Sequence, residues 1–189
     1  MRAWAKGGPK LKLPFRQHPD RHYSGRTTVL GPVRCSAEAM QAYIRRRNPR
    51  APEVAELYLR AGEKYGVRGD VAFCQAAYET QAWRAAYGGP RFRPFLAEVW
   101  SSGADPLLIV EEHVRCLYGF ATADNARGDP AGGLFAPLQR KGWRGSAPFW
   151  EQIGWAWGYG DPSYGSDFVN MWRCMREWSA RAAGAGTPS

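Results

Sequence analysis

The chain has 189 residues, close to the ~150 residues of an ordinary domain, so we expect one domain and at most a tail. Hydrophobic residues make up 44% and charged residues 23%, the balance of a globular protein with a buried core. The longest strongly apolar stretches fall far short of the ~20 residues that cross a bilayer, which excludes a membrane-spanning protein. The 14% of aromatic residues and the absence of a three-residue glycine period exclude a collagen-like or wholly disordered chain.

The net charge of +9 is concentrated at the N-terminus. The first 34 residues carry eight basic side chains and one acidic one, whereas the rest of the chain carries 18 basic and 16 acidic groups. We therefore expect a basic, proline-containing arm over residues 1–28, which is either a solubilising tail or a contact to an anionic wall polymer. The near-neutral remainder disfavours nucleic acid as a partner. No apolar run of 7–15 residues follows the basic start, so we expect no signal peptide.

The elements predicted after the arm are helices. Ser36 is a capping residue for the first helix, and Pro52 suits the first turn of the second, which Gly66 stops. The third helix is expected to begin at a cap, Asp70, and to run to about Tyr87.

Further along the chain, Asp105 and Pro106 form a cap and first-turn pair for another helix, and a long helix is expected over residues 164–181. Only residues 92–100 come near the alternation of a strand. Residues 182–189 are small and polar and are expected to form a loose tail. The pattern predicts a mainly α fold without repeats.

The third predicted helix is apolar or small almost all round, which indicates burial, yet it carries Glu79. One turn away on either side lie Gln75, Ala76, Ala82 and Trp83. A carboxyl group beside small apolar residues is poorly solvated, which raises its pKa and keeps it protonated nearer neutrality. A general acid needs that state, so Glu79 is a candidate general acid. The alternative is a glutamate on an exposed helix rim.

Four segments carry a resemblance to a known family. They are Val29-Leu-Gly-Pro-Val-Arg, Ser36-Ala-Glu-Ala-Met, Gly66-Val-Arg-Gly-Asp-Val-Ala-Phe-Cys-Gln-Ala-Ala-Tyr-Glu-Thr and Gly145-Ser-Ala-Pro-Phe-Trp-Glu. In this order they resemble the bacterial glucosaminidase family of endo-β-N-acetylglucosaminidases. The resemblance implies a lysozyme-like helical domain over residues 29–181 with a reduced or irregular β-lobe. It also implies a glycoside hydrolase that acts at the bacterial cell wall and cuts β-1,4 bonds of peptidoglycan strands after N-acetylglucosamine.

The resemblance also implies site residues. Glu79 corresponds to the general acid of the family, Trp83 to the aromatic residue that follows it, and Tyr164 to a tyrosine that lines the site near the N-acetyl group. Further side chains are expected to bind the sugar, namely Gln75, Tyr87, Trp157 and Tyr159. For Trp155 we favour packing in the core over contact with sugar.

The region after the third helix departs from the family pattern, so the second catalytic group stays open. The acetamide of an N-acetyl sugar can replace a second carboxylate. Among the carboxylates, Glu98 is the favoured candidate and Asp161 an outside one, whereas Asp105 is expected to act as a helix cap. Glu111 and Glu112 are expected on a solvated helix face.

We expect neither a metal nor a cofactor. His18 and His22 have helical spacing, but Pro19 between them disrupts a helix, and no phosphate-binding or dinucleotide-binding loop is present. The four cysteines lie far apart and are expected mainly in the core rather than in disulfides. The alternative function is a non-catalytic or weakly active wall-glycan-binding module on the same fold.

Overall fold

The computed structural model describes residues 26–84, 94–157, 159–161 and 163–184. These residues are mainly helical and include no β-strand, only two isolated β-bridges. No helix among them is long and apolar enough to cross a membrane. The α-helices are α1 (Ala37–Arg45), α2 (Ala55–Tyr65), α3 (Gly69–Glu79), α4 (Phe95–Trp100), α5 (Pro106–Ala121), α6 (Ile153–Ala156) and α7 (Tyr164–Gly184), and two 3-10 helices cover Gly133–Leu138 and Trp150–Gln152.

Several helix ends lie where the sequence predicts them, because local capping chemistry fixes them. The Ser36 side chain accepts the backbone N–H three residues later, at the start of α1. Asp105 accepts the N–H of Leu107 at 2.9 Å at the start of α5. Gly66 ends α2 with a φ of 70°, in the left-handed region that glycine enters without a steric penalty. The prediction of a mainly α fold is confirmed for the described residues.

Helix α3 is the centre of the molecule. All 11 of its residues are buried, and it packs against α2, α4 and α7. A Cβ atom at Gly69 would collide with the carbonyl oxygen of Tyr58, so α2 and α3 approach as closely as they do only because this residue has no side chain. Any polar side chain on α3 must therefore find its partners inside the protein.

Residues 26–34 belong to the folded part. The N–H of Thr27 donates to both carboxylate oxygens of Glu151, at 3.0 and 2.9 Å. Thr28 forms a β-bridge with Phe149, and Leu30 forms one with Val67. The folded part therefore begins by Thr27, two residues before the predicted start of the domain at Val29, and residues 1–25 lie outside the described residues.

Three predicted elements differ from the structure. Helix α3 begins at Gly69, so Asp70 lies inside its first turn and is not its cap, and the helix ends at Glu79 instead of near Tyr87, for a reason given below. The strand considered over residues 92–100 is wrong from Phe95 onward, where α4 buries Leu96 and Val99, three residues apart, on one side. The described part of the expected β-lobe is thus helical. Helix α7 continues a few residues beyond its predicted end.

The cysteines support the core rather than cross-link it. Cys35, Cys74 and Cys116 are buried, and all four cysteines of the chain are free. Burial raises the pKa of Cys35 and of Cys116 to about 12, so these thiols stay protonated near neutral pH.

Candidate active site

Helix α3 ends at Glu79 in a left-handed turn. The N–H groups of Gln81 and Ala82 donate to carbonyls of the last turn of α3, at 3.3 and 2.7 Å, which is the bond pair of a Schellman motif. Gln81, Ala82 and Trp83 have positive φ angles of 49°, 58° and 57°. The sequence predicts a longer helix because glycine usually marks this motif, and here a glutamine occupies its left-handed position.

Two side chains hold the turn in place. The Asn48 amide donates to the carbonyl of Ala82 at 2.8 Å, which ties the turn to the end of α1. The Thr80 hydroxyl accepts the N–H of Trp83 at 3.0 Å. Together they keep the end of α3, and with it the Glu79 carboxyl group, in a fixed position.

Three donors converge on the Glu79 carboxyl group. Glu79 is 1% exposed, and its Oε1 accepts a hydrogen bond from the Tyr164 hydroxyl. Its Oε2 accepts the N–H of Leu96 at 2.8 Å and the Tyr159 hydroxyl at 3.0 Å. The N–H of Phe95 donates to that same Tyr159 hydroxyl at 2.7 Å, so the hydroxyl directs its own proton to Glu79. Residues of α3, α4 and α7 therefore meet at one carboxyl group.

The protonation of Glu79 is finely poised. Burial raises the pKa of Glu79 to about 7, although the hydrogen bonds from Tyr164, Leu96 and Tyr159 act in the opposite direction. Near neutral pH the group can therefore be either a protonated acid or a carboxylate, which is the range that suits a general acid. The exposed helix rim considered for Glu79 is wrong, since the residue is buried.

A chain of buried polar side chains runs from Glu79 across the core. The Gln75 amide nitrogen donates to the Tyr164 hydroxyl at 2.9 Å, and its oxygen lies 3.2 Å from Nε2 of His113. Nδ1 of His113 lies 3.1 Å from the Tyr58 hydroxyl. These residues are all buried and come from α2, α3, α5 and α7. Hydrogen bonds thus link the candidate acid at the end of α3 to side chains of α2, α5 and α7.

Sequence reasoning missed His113 and Tyr58. His113 is fully buried and stacks on Phe135, with ring centroids 5.4 Å apart and planes 9° from parallel. Burial lowers the pKa of His113 to about 3, so its imidazole is neutral near pH 7. The available signal was its place on the apolar face of α5 between Val110 and Leu117, because a polar residue there must find a buried partner.

Two tryptophans lie opposite to our expectation. Trp157, expected to bind sugar, is 2% exposed and packs against Phe120 and Phe135. Trp155, expected in the core, is 65% exposed. The single turn of α6 directs these two neighbouring side chains to opposite sides, and one turn is too short for its buried face to be seen in the sequence. The prediction that Trp157 binds sugar is therefore wrong.

Of the other expected binding residues, Tyr159 and Gln75 belong to the hydrogen-bonded cluster described above. Trp83 is partly buried and packs against Phe73 and Trp100 instead of standing one helical turn above Glu79. Tyr87 lies outside the described residues.

The remaining acids take different positions. Glu98 is exposed on α4, and its charge contributes to raising the pKa of Tyr159, after the larger effect of burial. Asp161 accepts hydrogen bonds from its neighbour Ser163 at 2.8 Å. Glu111 and Glu112 are partly buried instead of fully solvated. Lys64 and Tyr65 donate to the first, and a backbone N–H of a 3-10 helix donates to the second.

The cluster offers acid–base and hydrogen-bonding chemistry. Within the described part of the chain, no group of three or more His, Cys, Asp or Glu side chains could hold a metal ion. His18 and His22 lie outside it. Comparisons with models of protein families, with curated proteins and with solved structures found no match. What the site offers is therefore one buried proton donor whose carboxyl group is held by two tyrosine hydroxyls.

Proposed function

We propose that this protein is a glycoside hydrolase that cleaves β-1,4 bonds of peptidoglycan after N-acetylglucosamine, with Glu79 as general acid. The observation that carries the proposal is the buried Glu79 carboxyl group, whose pKa burial raises to about 7. Such a group is protonated often enough near neutral pH to donate a proton to a leaving oxygen, and it regains a proton readily afterwards. In the glucosaminidase family that the sequence resembles, the general acid corresponds to this same residue.

The residues around Glu79 suit an N-acetylated sugar. Cleavage of a glycosidic bond needs, besides the acid, a group that attacks or stabilises the oxocarbenium-like sugar carbon. The acetamide of the substrate serves as that group in this proposal, with Tyr159 and Tyr164 as hydroxyl groups beside the acid. Glu98, exposed on α4, is the alternative carboxylate.

The same proposal covers the fold and the setting. The buried central helix that ends at the candidate acid is compatible with a lysozyme-like arrangement, which we propose as the finer fold assignment. The substrate would then be met at the bacterial cell wall. The eight basic residues among the first 34 would favour contact with its anionic polymers.

Purified protein incubated with purified cell walls tests the function. We expect new reducing ends that carry N-acetylglucosamine, identified after reduction and hydrolysis of the product. Glu79→Gln removes only the transferable proton and should lower the rate by about 10²–10⁴-fold while the protein stays folded. Glu56→Gln, at an exposed site on α2, is the matched control and should keep the full rate. Wild-type hydrolysis by folded Glu79→Gln protein would remove Glu79 from the mechanism.

A second variant separates the two routes to the sugar carbon. If the acetamide attacks, Glu98→Gln should retain most of the rate on N-acetylated walls. A loss comparable to that of Glu79→Gln would instead make Glu98 the second catalytic carboxylate.

A second candidate function is a glycan-binding module that keeps this fold without turnover. The observation in its favour is that Glu79 is 1% exposed and both of its oxygens already accept hydrogen bonds, as in a structural carboxyl group. This candidate predicts that the protein sediments with cell walls and releases no reducing ends. Glu79→Gln would then leave wall binding unchanged.

A further inference from the structure

The hydrogen bonds that link Tyr58 to Glu79 through His113, Gln75 and Tyr164 assign each group a role as donor or acceptor. His113 is neutral and carries one N–H group, and its Nε2 faces the Gln75 oxygen at 3.2 Å. An amide oxygen can only accept, so the proton of His113 is on Nε2. Nδ1 must then accept, and the Tyr58 hydroxyl donates to it across 3.1 Å. Among the described residues, His113 is the only hydrogen-bond partner of the buried Tyr58 hydroxyl, so the proton of this hydroxyl has no other acceptor.

The same direction continues to Glu79. With its oxygen turned to His113, Gln75 presents its NH₂ group to the Tyr164 hydroxyl at 2.9 Å. That hydroxyl accepts from Gln75, so its single proton points to Oε1 of Glu79. Each bond between Tyr58 and Glu79 is therefore fixed by the one before it.

We propose that His113 is a positioning residue, which holds the Gln75 amide in one orientation and thereby makes the Tyr164 hydroxyl a donor to Glu79. His113 contacts no reacting atom in this proposal and acts only through two other side chains. The orientation stands on the hydrogen bonds alone, whereas its use in catalysis rests on the proposed function.

The opposite orientation would disable the acid. With the amide turned over, the Gln75 oxygen would accept from the Tyr164 hydroxyl. That hydroxyl could then accept the proton of a protonated Glu79, which would bind the proton inside the protein instead of leaving it for a substrate oxygen. By excluding this arrangement, His113 keeps the proton of Glu79 available for transfer.

The titratable groups that face Glu79 come from several elements. Tyr159 and Tyr164 donate to it directly, and Tyr58 on α2 and Tyr78 on α3 lie within electrostatic reach. His113 on α5 acts through Gln75, and Glu98 on α4 acts on Tyr159. Since the tyrosines and His113 do not change charge around pH 7, a change in the Glu79 titration there reports mainly on hydrogen-bond direction.

The test measures the pKa of Glu79 by ¹³C NMR of protein labelled at the glutamate carboxyl carbons, with Glu79→Gln to assign the signal. His113→Leu removes the donor to Gln75 and frees its amide to turn over. The protonated acid then gains the Tyr164 oxygen as an acceptor, so we expect the pKa of Glu79 to rise by about one pH unit. His113→Gln supplies an amide N–H near the position of Nε2 and should restore the wild-type value.

A double variant isolates the amide. Gln75→Met offers Tyr164 no oxygen, so the hydroxyl must still donate to Glu79 and the pKa should stay close to wild type. Added to His113→Leu, Gln75→Met should abolish the rise that His113→Leu causes alone. A purely structural role for His113 predicts no such reversal, because the double variant is further from the native sequence than either single one.

The outcomes separate this inference from the proposed function. An unchanged Glu79 pKa in folded His113→Leu protein, or a rise that persists with Gln75→Met, overturns the inference whether or not the protein cleaves walls. Absence of hydrolysis by the wild type would overturn the function and leave the NMR result intact. On a soluble glycan, His113→Leu should lower kcat about tenfold with little change in KM. If His113→Leu does not fold, His113→Phe, which keeps the stacking on Phe135, takes its place.

Discussion

Helix α3 carries a buried carboxyl group near each end, and the two ends hold them differently. Asp70, in the first turn, accepts the N–H groups of Arg34 at 2.8 Å and Val71 at 3.1 Å and the indole N–H of Trp172 at 2.7 Å. Glu79, at the last residue, accepts one backbone N–H and two tyrosine hydroxyls. The first group is surrounded only by N–H donors, and the second mainly by hydroxyl groups.

The difference in partners suits the two carboxyl groups to different roles. N–H groups can only donate, so the Asp70 carboxyl group must act as an acceptor toward each of its three partners. Only one of the three donors to Glu79 is an N–H group, and burial raises the pKa of its carboxyl group to about 7, so this group can gain a proton near neutral pH. The helix dipole adds to the contrast, because the N-terminal end of α3 favours a negative charge and the C-terminal end disfavours it. Equal burial therefore produces different chemistry.

The largest effect on stability is expected at Asp70. Asp70→Ala leaves the N–H groups of Arg34 and Trp172 without their buried acceptor, and each orphaned donor costs about 1–3 kcal/mol. The N–H of Val71 keeps the carbonyl of Arg68 at 3.1 Å. We expect a loss of about 2–5 kcal/mol in the free energy of unfolding, measured with denaturant.

Glu79→Gln keeps one oxygen, which can accept from the N–H of Leu96 and the Tyr159 hydroxyl, so only the Tyr164 hydroxyl loses its acceptor and the cost should be about 1–2 kcal/mol at pH 7. Equal losses at the two ends would contradict the comparison.

The pH dependence of the free energy of unfolding should show the raised pKa of Glu79. Its pKa is raised from 4.5 to about 7 on folding, so between these values the folded protein binds more protons than the unfolded chain. The contribution of Glu79 to the free energy of unfolding is therefore complete below pH 4.5. It decreases by about 3 kcal/mol between pH 4.5 and pH 7 and stays constant at higher pH. The difference between wild type and Glu79→Gln, measured by denaturation at each pH, should follow this curve. A difference that does not vary with pH would show that Glu79 is not poised as described.

His113 should contribute in the opposite direction. Its pKa falls from 6.5 to about 3 on folding, so the unfolded chain binds more protons between these values and stability rises with pH. Between pH 4.5 and 6.5 the two residues oppose each other. In Glu79→Gln the slope from His113 should emerge at about 1.4 kcal/mol per pH unit, relative to wild type.

The smallest effect on stability is expected at Tyr164, which is both buried and bonded to the acid. Tyr164→Phe should cost about 1 kcal/mol, because the Gln75 amide loses an acceptor. It should also lower turnover and move the alkaline limb of the pH–rate profile upward, since Glu79 loses a donor that lowers its pKa. Tyr65→Phe, whose hydroxyl donates to Glu111 instead, is the control and should affect melting but not turnover. Thermal melts and rates measured on the same variants decide the outcome.

Sequence patterns predicted the parts of the fold that depend on neighbouring residues. The caps at Ser36 and Asp105 and the stop at Gly66 are local signals, and each is found where expected. The burial of Glu79 also followed from its apolar helix. The end of α3 could not be predicted, because Gln81 occupies a position that glycine usually marks.

The surroundings of Glu79 depend on contacts between distant parts of the chain. His113 meets Gln75 from 38 residues away, and Tyr164 meets Glu79 from 85 residues away. The periodicity of a single helix carries no information about contacts between residues so far apart in the chain. The opposite placement of Trp155 and Trp157 was equally inaccessible, since α6 is too short to define a face.

The left-handed turn after Glu79 has a consequence for mirror-image chemistry. Gln81 has a φ of 49° although it is an L-residue, a conformation that costs roughly 1–2 kcal/mol relative to glycine. A D-amino acid prefers this same conformation. In a chemically synthesised chain, D-glutamine at position 81 should therefore stabilise the protein by about 1 kcal/mol, whereas inverting a residue inside α3 should disrupt the helix. At the end of the central helix, the L-configuration of a natural residue therefore destabilises the fold.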